Sequence, residues 1–472
     1  MLFSSTTFLY LFFPIVIIIY YTILRTSRLL QNVFLLGASL AFYAWGEPKF
    51  VFVLMVSISV NWLLGLIIDK NRENKTAAKL IVGIDIAFNL GLLFVFKYLT
   101  YTGSLLQSIA GIDLHVPKIT LPIGISFFTF QAMSYVIDVY RQTGEVQTNL
   151  LYVGLYISFF PQLIAGPIVR YETIADEIKN RKESLTDFFD GFARFVVGLS
   201  KKVLLANSFA ILADRVFDAA RAGDSISVLF GWLGAVAYSF QIFYDFSGYS
   251  DMAIGMGRMF GFHFLENFNY PYISTSITGF WRRWHISLGT WFRDYLYIPL
   301  GGSRCSKMRN VFNLFVVWAL TGIWHGANMT FLVWGLMYFV LLVIEKTTGV
   351  INKNGVLINA IKWLYTCFFV VIGWIVFRAE SLSIAFTYLK CVFGLSGNAF
   401  SDGLFTGWFS QNLILLLVGA FLCTPCAKWF FEREKDNNAI GILKAMGLCC
   451  LFVLSVASLV SNSYNPFIYF NF

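Results

Sequence analysis

Apolar runs of roughly 17 to 22 residues recur along the whole chain, long enough as helices to cross a hydrocarbon layer of about 30 Å. Only 13% of the residues are charged, against about a quarter in soluble globular chains. No short alternating segments of the kind that build an outer-membrane barrel interrupt these runs. The expected fold class is therefore an all-α polytopic membrane protein.

Candidate spans are Thr6–Leu24, Leu30–Gly46, Phe50–Ile68, Leu80–Phe96, Ile119–Tyr140, Leu150–Val169, Ser227–Tyr244, Asn310–Trp324, Thr330–Ile344, Leu364–Phe377, Leu413–Ala427 and Ala445–Val460. Phe188–Leu205 and Tyr249–Phe264 are less apolar and read as buried or interfacial helices. The expected count is about eleven to thirteen spanning helices. Arg25 and Arg28 follow the first run, which has no positive leader and no small-residue cleavage site, so it is expected to stay as a first helix. No soluble domain stands out, and residues 1–472 read as a single transmembrane domain.

The net charge of +9 fits loops anchored at the cytoplasmic face. No basic stretch is interleaved with soluble aromatic sequence, so no nucleic-acid partner is expected; membrane lipids are. Lys70, Arg72, Lys75 and Lys79 crowd one loop, which the positive-inside rule assigns to the cytoplasm, with the N-terminus outside. Simple alternation would then send Arg170, Lys179, Arg181 and Lys182 to the far side. The conflict falls at Phe160-Pro-Gln-Leu-Ile-Ala-Gly-Pro167, whose two prolines and glycine break a helix. A re-entrant segment there, enclosed by protein or a wet cavity, restores the rule.

Several chemistries have no motif here. There is no Gly-rich phosphate loop, no Gly-x-Ser-x-Gly elbow and no His-Glu-x-x-His. Cys423-Thr-Pro-Cys426 has redox or metal spacing, but no second pair or neighbouring histidine completes it, so these cysteines read as small hydrophobes and no metal is expected. No tandem repeat or matched pair of interrupted helices suggests a secondary transporter.

Two of the four histidines lie in tryptophan-rich membrane-type sequence: His285 in Phe280-Trp-Arg-Arg-Trp-His-Ile-Ser-Leu, and His325 in Thr321-Gly-Ile-Trp-His-Gly-Ala-Asn. Ionisable groups are costly in a bilayer, and histidine suits proton transfer near neutral pH. The stretch Trp281–Tyr295 reads as an interfacial amphipathic helix. Trp281, Trp284, Leu288, Trp291, Phe292 and Tyr295 share one arc, Arg282, Arg283 and Arg293 lie off it, and His285 sits at the seam. An interfacial and a functional His285 are both open on these residues. His325 closes a short apolar run and is followed by Gly326-Ala327, which leaves room for a substrate at its ring; a polar helix contact is the bland alternative. His263 and His115 read as structural. Asp245 and Asp251 need partners in apolar sequence, either by orienting a histidine or by pairing with Arg258. What remains is a histidine general base that activates an acceptor hydroxyl toward a thioester or ester carbonyl.

Leu121-Pro-Ile-Gly-Ile-Ser-Phe-Phe-Thr-Phe-Gln131, Pro161-Gln-Leu-Ile-Ala-Gly-Pro167, Tyr244-Asp-Phe-Ser-Gly-Tyr-Ser-Asp251, Asn267-Phe-Asn-Tyr-Pro271, the stretch from Phe280 to Gly302, Gly322-Ile-Trp-His-Gly-Ala327 and the terminal Asn465-Pro-Phe-Ile-Tyr-Phe form a set of specific segments. Together they resemble the membrane-bound O-acyltransferase (MBOAT) family, in its bacterial polysaccharide O-acetyltransferase branch. The resemblance is most specific over 244–346. It implies helices ringed around a central funnel, with His325 in the place of the catalytic histidine and His285 in that of the second important one. Trp284, Trp324, Tyr244, Asp245, Asp251 and Asn328 are expected to line the substrate channel. No cofactor is expected to stay bound; cytoplasmic acetyl-CoA is the implied donor. The implied partner is an extracytoplasmic SGNH-type acetyltransferase or a polysaccharide synthase complex, in the bacterial cytoplasmic (inner) membrane. D-alanyl transfer to teichoic acid in the same fold is the runner-up. A glycan or lipid transporter without covalent chemistry is the alternative from another class.

Overall fold

Short polar side chains start eight of the helices. In the computed structural model, which describes residues 1–111, 117, 119–164, 166–349, 355–433, 438–461, 464–466 and 468, Ser27, Asn74, Asn149, Ser276, Ser306, Asn328, Ser381 and Asp402 each accept a hydrogen bond from a first-turn backbone N–H of the helix they precede. These caps satisfy donors that a helix leaves orphaned at its start. Among the described residues there is no β-strand, and eight helices are long and apolar enough to cross a membrane: Arg28–Gly46, Val51–Lys70, Lys75–Ala110, Leu185–Ala222, Met329–Thr348, Val356–Arg378, Gly403–Leu422 and Ala439–Ser461. The chain is an all-α multi-pass membrane protein.

Several expected segments take a different form. Ser227–Tyr244 and Tyr249–Phe264 are one 32-residue helix, Val228–Met259. Gly248 within it marks a close helix approach and not a turn, since a Cβ there would stand 2.7 Å from the Gly198 carbonyl. The segment expected from Ile119 starts its helix only at Ile125, after Gly124 at φ 75°. His115 lies outside the described residues.

The chain forms two compact units, Met1–Phe195 with Tyr249–Leu265, and Val196–Gly248 with Glu266–Phe472. In the first, the helix Ile125–Arg141 is buried from Ile125 through Val139 and packs on Val51–Lys70 and Lys75–Leu93. Asn89 Nδ2 donates to Asn61 Oδ1 at 2.9 Å and to Asp85 Oδ1 at 3.0 Å, a polar tie between two spanning helices. The helix Leu150–Ser158 stops at Phe159, a single turn Phe160–Leu163 follows, and Phe160 N donates to Ser39 Oγ at 3.0 Å. All four residues of that turn are buried. Arg181 joins the stretch after this break to the first two helices: Nε donates to Tyr20 Oη at 3.0 Å and Nη1 to Asn32 Oδ1 at 2.7 Å, while Arg28 pairs with Glu183.

The second unit centres on a hairpin of Lys307–His325 and Met329–Thr348 joined through Gly326-Ala327-Asn328. Gly322 and Gly335 let the two helices close up; a Cβ on Gly335 would overlap the Trp318 carbonyl oxygen, and one on Gly322 the Phe331 carbonyl. Around the hairpin lies an aromatic core that includes Phe280, Trp284, Trp318, Trp334, Tyr338 and Trp374.

Candidate active site

His325 is the last residue of its helix, and partly exposed. Its imidazole stands edge-on to Trp324, Trp334 and Phe377, with centroids 5.0, 5.1 and 5.1 Å away, and Phe331 lies at 6.4 Å. Phe331 and Trp334 are three residues apart on the facing helix and so share a face. The ring is thus walled by aromatic side chains, while Gly326 and Ala327 add little bulk beside it.

His285 is reached by a different local structure from the one expected. The segment does not form one amphipathic helix over Trp281–Tyr295. A short helix Ile277–Trp281 ends in a turn, His285 adopts the left-handed conformation at φ 48°, and a second helix Ile286–Phe292 begins. The cause is competition for the helical ladder. In a continuous helix Ser287 N would bond the Arg283 carbonyl, but that carbonyl accepts from Asn269 N at 2.9 Å, and Ser287 N donates to Asn267 Oδ1 at 3.1 Å. Ile286 N donates to the Asn267 carbonyl at 2.9 Å. Amphipathic periodicity is blind to such partners from a distant segment.

Asn267 Oδ1 also lies 3.3 Å from His285 Nδ1. The imidazole is buried and outside the eight spanning helices, and burial pushes its pKa down to about 3, so it stays neutral at physiological pH. Its segment is anchored from the hairpin by Glu345, whose carboxylate accepts from Ile277 N at 2.6 Å, Thr278 N at 2.9 Å and Thr278 Oγ1 at 2.7 Å. A carboxylate at a helix start satisfies orphan donors and meets the positive end of the dipole.

An unbroken series of aromatic contacts links the two histidines. Trp334 beside His325 stacks on Trp374 at 6.3 Å, Trp374 meets Trp284 at 4.8 Å, Trp284 meets Phe268 at 5.1 Å, and Phe268 lies 6.1 Å from His285. Trp284 and Trp324 therefore belong to this aromatic assembly. Asn328 sits at the hairpin turn, where it caps Thr330 N and donates through Nδ2 to the Glu380 carbonyl at 2.8 Å.

The other expected channel residues are engaged elsewhere. The Tyr244 hydroxyl donates to the Gly419 carbonyl at 2.5 Å and lies 3.3 Å from Cys423 Sγ. Asp245 is buried in an ion pair with Lys202 at 2.9 Å and accepts from Ile468 N at 3.1 Å. Asp251 belongs to the first unit and pairs with Arg194 at 2.8 Å. Arg258 pairs with Asp187 and Asp190, so neither expected aspartate is its partner. His263 is exposed and hydrogen-bonded to Glu177 at 2.7 Å. Among the described residues no group of three His, Cys, Asp or Glu is placed to hold a metal ion.

Trp334, Phe377 and Glu345 are functional neighbours that the sequence does not single out. The Phe331, Trp334, Tyr338 and Glu345 spacing of three, four and seven marks one helix face and was the available signal. Phe377 comes from a distant element and leaves none.

Residues 145–383, which contain both histidines, match the model of the MBOAT, membrane-bound O-acyltransferase family. The chain belongs to that family and is an O-acyltransferase of membranes. Full-length similarity places it in the polysaccharide O-acetyltransferase branch. A probable alginate O-acetylase, AlgI, of Pseudomonas putida is 38% identical over 100% of both chains. A peptidoglycan O-acetyltransferase of Helicobacter pylori is 31% identical over 100% of this chain and 98% of that one. A teichoic acid D-alanyltransferase of Bacillus subtilis is 29% identical over 55% of this chain and 69% of its own.

Proposed function

We propose that this protein transfers an acetyl group from cytoplasmic acetyl-CoA to a hydroxyl on the far side of the bacterial inner membrane, with His325 as general base. The acceptor hydroxyl oxygen attacks the thioester carbonyl carbon while His325 takes its proton. The carbon–sulfur bond then breaks, and the leaving thiolate receives that proton from the imidazolium, giving an acetyl ester and free coenzyme A. The wall of Trp324, Trp334 and Phe377 keeps water from the thioester. His285, neutral and held by Asn267, is a supporting or donor-side residue.

The observation that carries this reading is the His325 ring at its helix end, enclosed by aromatics on one side and followed by Gly326-Ala327. End-to-end similarity to O-acetylases, against a half-length match to the D-alanyltransferase, supports acetyl as the group. The final acceptor is a cell-envelope polysaccharide, reached directly or through a partner SGNH-type acetyltransferase or synthase complex. The charge rule supports an outer N-terminus and a cytoplasmic Arg170–Lys182, with Arg28 in contact with Glu183 next to that stretch.

The test is incubation of membranes with labelled acetyl-CoA. The His325→Ala variant, correctly inserted, is expected to transfer no label; normal transfer would sink the assignment. A transporter without covalent chemistry predicts the opposite, with His325→Ala still active.

A further inference from the structure

Three buried hydrogen-bonding groups near His325 find no partner among the described residues: Trp281 Nε1, Trp334 Nε1 and Tyr338 Oη. Trp334 and Tyr338 are 1% and 0% exposed. The rings form one cluster, with Trp281 at 5.4 Å from Trp334 and 4.8 Å from Tyr338, and Trp334 at 5.3 Å from Tyr338. The cluster reaches the candidate base, because Trp334 lies 5.1 Å from His325.

Unpaired buried donors cost stability, and folded proteins rarely keep them without a reason. Other donors of the same aromatic core are paired. Trp374 Nε1 donates to Tyr272 Oη at 3.1 Å, Tyr272 Oη to the Ser239 carbonyl at 2.6 Å, and Trp232 Nε1 to the Val392 carbonyl at 2.9 Å. Within that core, the three orphans lie in one cluster. Tyr338 Oη also occupies a notch kept open by Gly373, whose missing Cβ would overlap the hydroxyl.

We infer that Trp281, Trp334 and Tyr338 form the binding site for the carbonyl oxygens of the acyl donor. An indole N–H only donates, so its ligand must bring acceptors. The cluster is built of neutral rings, which do not offset the cost of burying an anion, so neutral carbonyls fit and phosphate does not. A thioester on a pantetheine-type arm presents a thioester carbonyl and amide carbonyls in series. This assignment rests on the acyl-CoA reading above, and it makes these three residues binding groups for the donor.

Tyr338→Phe removes one oxygen and tests it with little change of shape. Acetyl-CoA binding by the full-length detergent-purified protein is read as a thermal shift in the His325→Ala background, which removes turnover. Without ligand, Tyr338→Phe is expected to melt at or above its parent, because an unpaired buried hydroxyl has gone. Its acetyl-CoA affinity is expected to fall roughly three- to tenfold, and Trp334→Phe should weaken binding too. If the parent shifts with acetyl-CoA and both variants shift equally, this inference is overturned and the donor reading stands. A lower melting point of ligand-free Tyr338→Phe, which would reveal a structural role for the hydroxyl, also overturns it. A parent with no shift at all overturns the donor reading itself, and this site with it.

Discussion

Glu345 holds Thr278 by its backbone amide and its hydroxyl at once, across 67 residues of sequence. This contact fixes the segment that carries Trp284 and His285 against the helix that faces His325.

Loss of that contact should therefore be felt in both stability and turnover. Glu345→Ala strands the amides of Ile277 and Thr278, and is expected to cost roughly 2–4 kcal/mol. Glu345→Gln keeps a carbonyl acceptor and should recover part of it. Thermal denaturation in detergent, paired with an acetyl-transfer assay, measures both; a Glu345→Ala protein as stable as wild type would remove the anchoring role.

His285 stands at φ 48°, where a side chain is strained and glycine is not. His285→Gly should be more stable than His285→Ala by roughly 1 kcal/mol, the reverse of the order inside a helix. Both should lose transfer partly or wholly, since both lack the imidazole. Equal stability of the two would show that the left-handed backbone carries no strain.

The same histidine predicts a pH effect. Burial lowers its folded pKa from 6.5 to about 3, so the unfolded chain binds the extra proton in between. Stability from this group is complete above about pH 6.5 and falls as the pH drops toward 3. His285→Gln should flatten that part of the stability profile; an unchanged slope would mean that the folded imidazole is protonated.

Gly335 has room for no side chain, because a Cβ would overlap the Trp318 carbonyl. Gly335→Ala is expected to spread the hairpin, cost roughly 1–3 kcal/mol or more, and lower transfer through displacement of Trp334. Denaturation midpoints and kcat report this. Gly37→Ala, inside the helix Arg28–Gly46 with open space around it, is the control expected to match or exceed wild-type stability.

Topology is testable by cysteine accessibility. Single cysteines in Lys70–Lys79 and in Arg170–Lys182 should be labelled from one side, the cytoplasm. Labelling from opposite faces would refute the re-entrant segment at Phe160–Pro167.

Much of the molecule could be read from the chain because its cause is local. Apolar length sets the spanning helices, short polar residues set the starts of several of them, and the two prolines near Gly166 announce the break after Phe159. His325 was also visible, since an ionisable ring at the end of an apolar run is conspicuous by itself. The conformation at His285 was not. Its helix is broken by Asn267 and Asn269, which take the ladder positions from outside the segment, and hydrophobic periodicity contains no term for such partners.

The aspartates make the same point from the other side. Sequence alone determined that Asp245 and Asp251 need partners, because a lone carboxylate is expensive in apolar surroundings. Only the tertiary structure decided that Lys202 and Arg194 supply them, and that the Trp334 and Phe377 rings, from separate helices, close around His325. The cost of burying a charge belongs to the residue and can be read locally. Its compensation depends on which distant elements pack beside it, and that is settled only when the helices assemble.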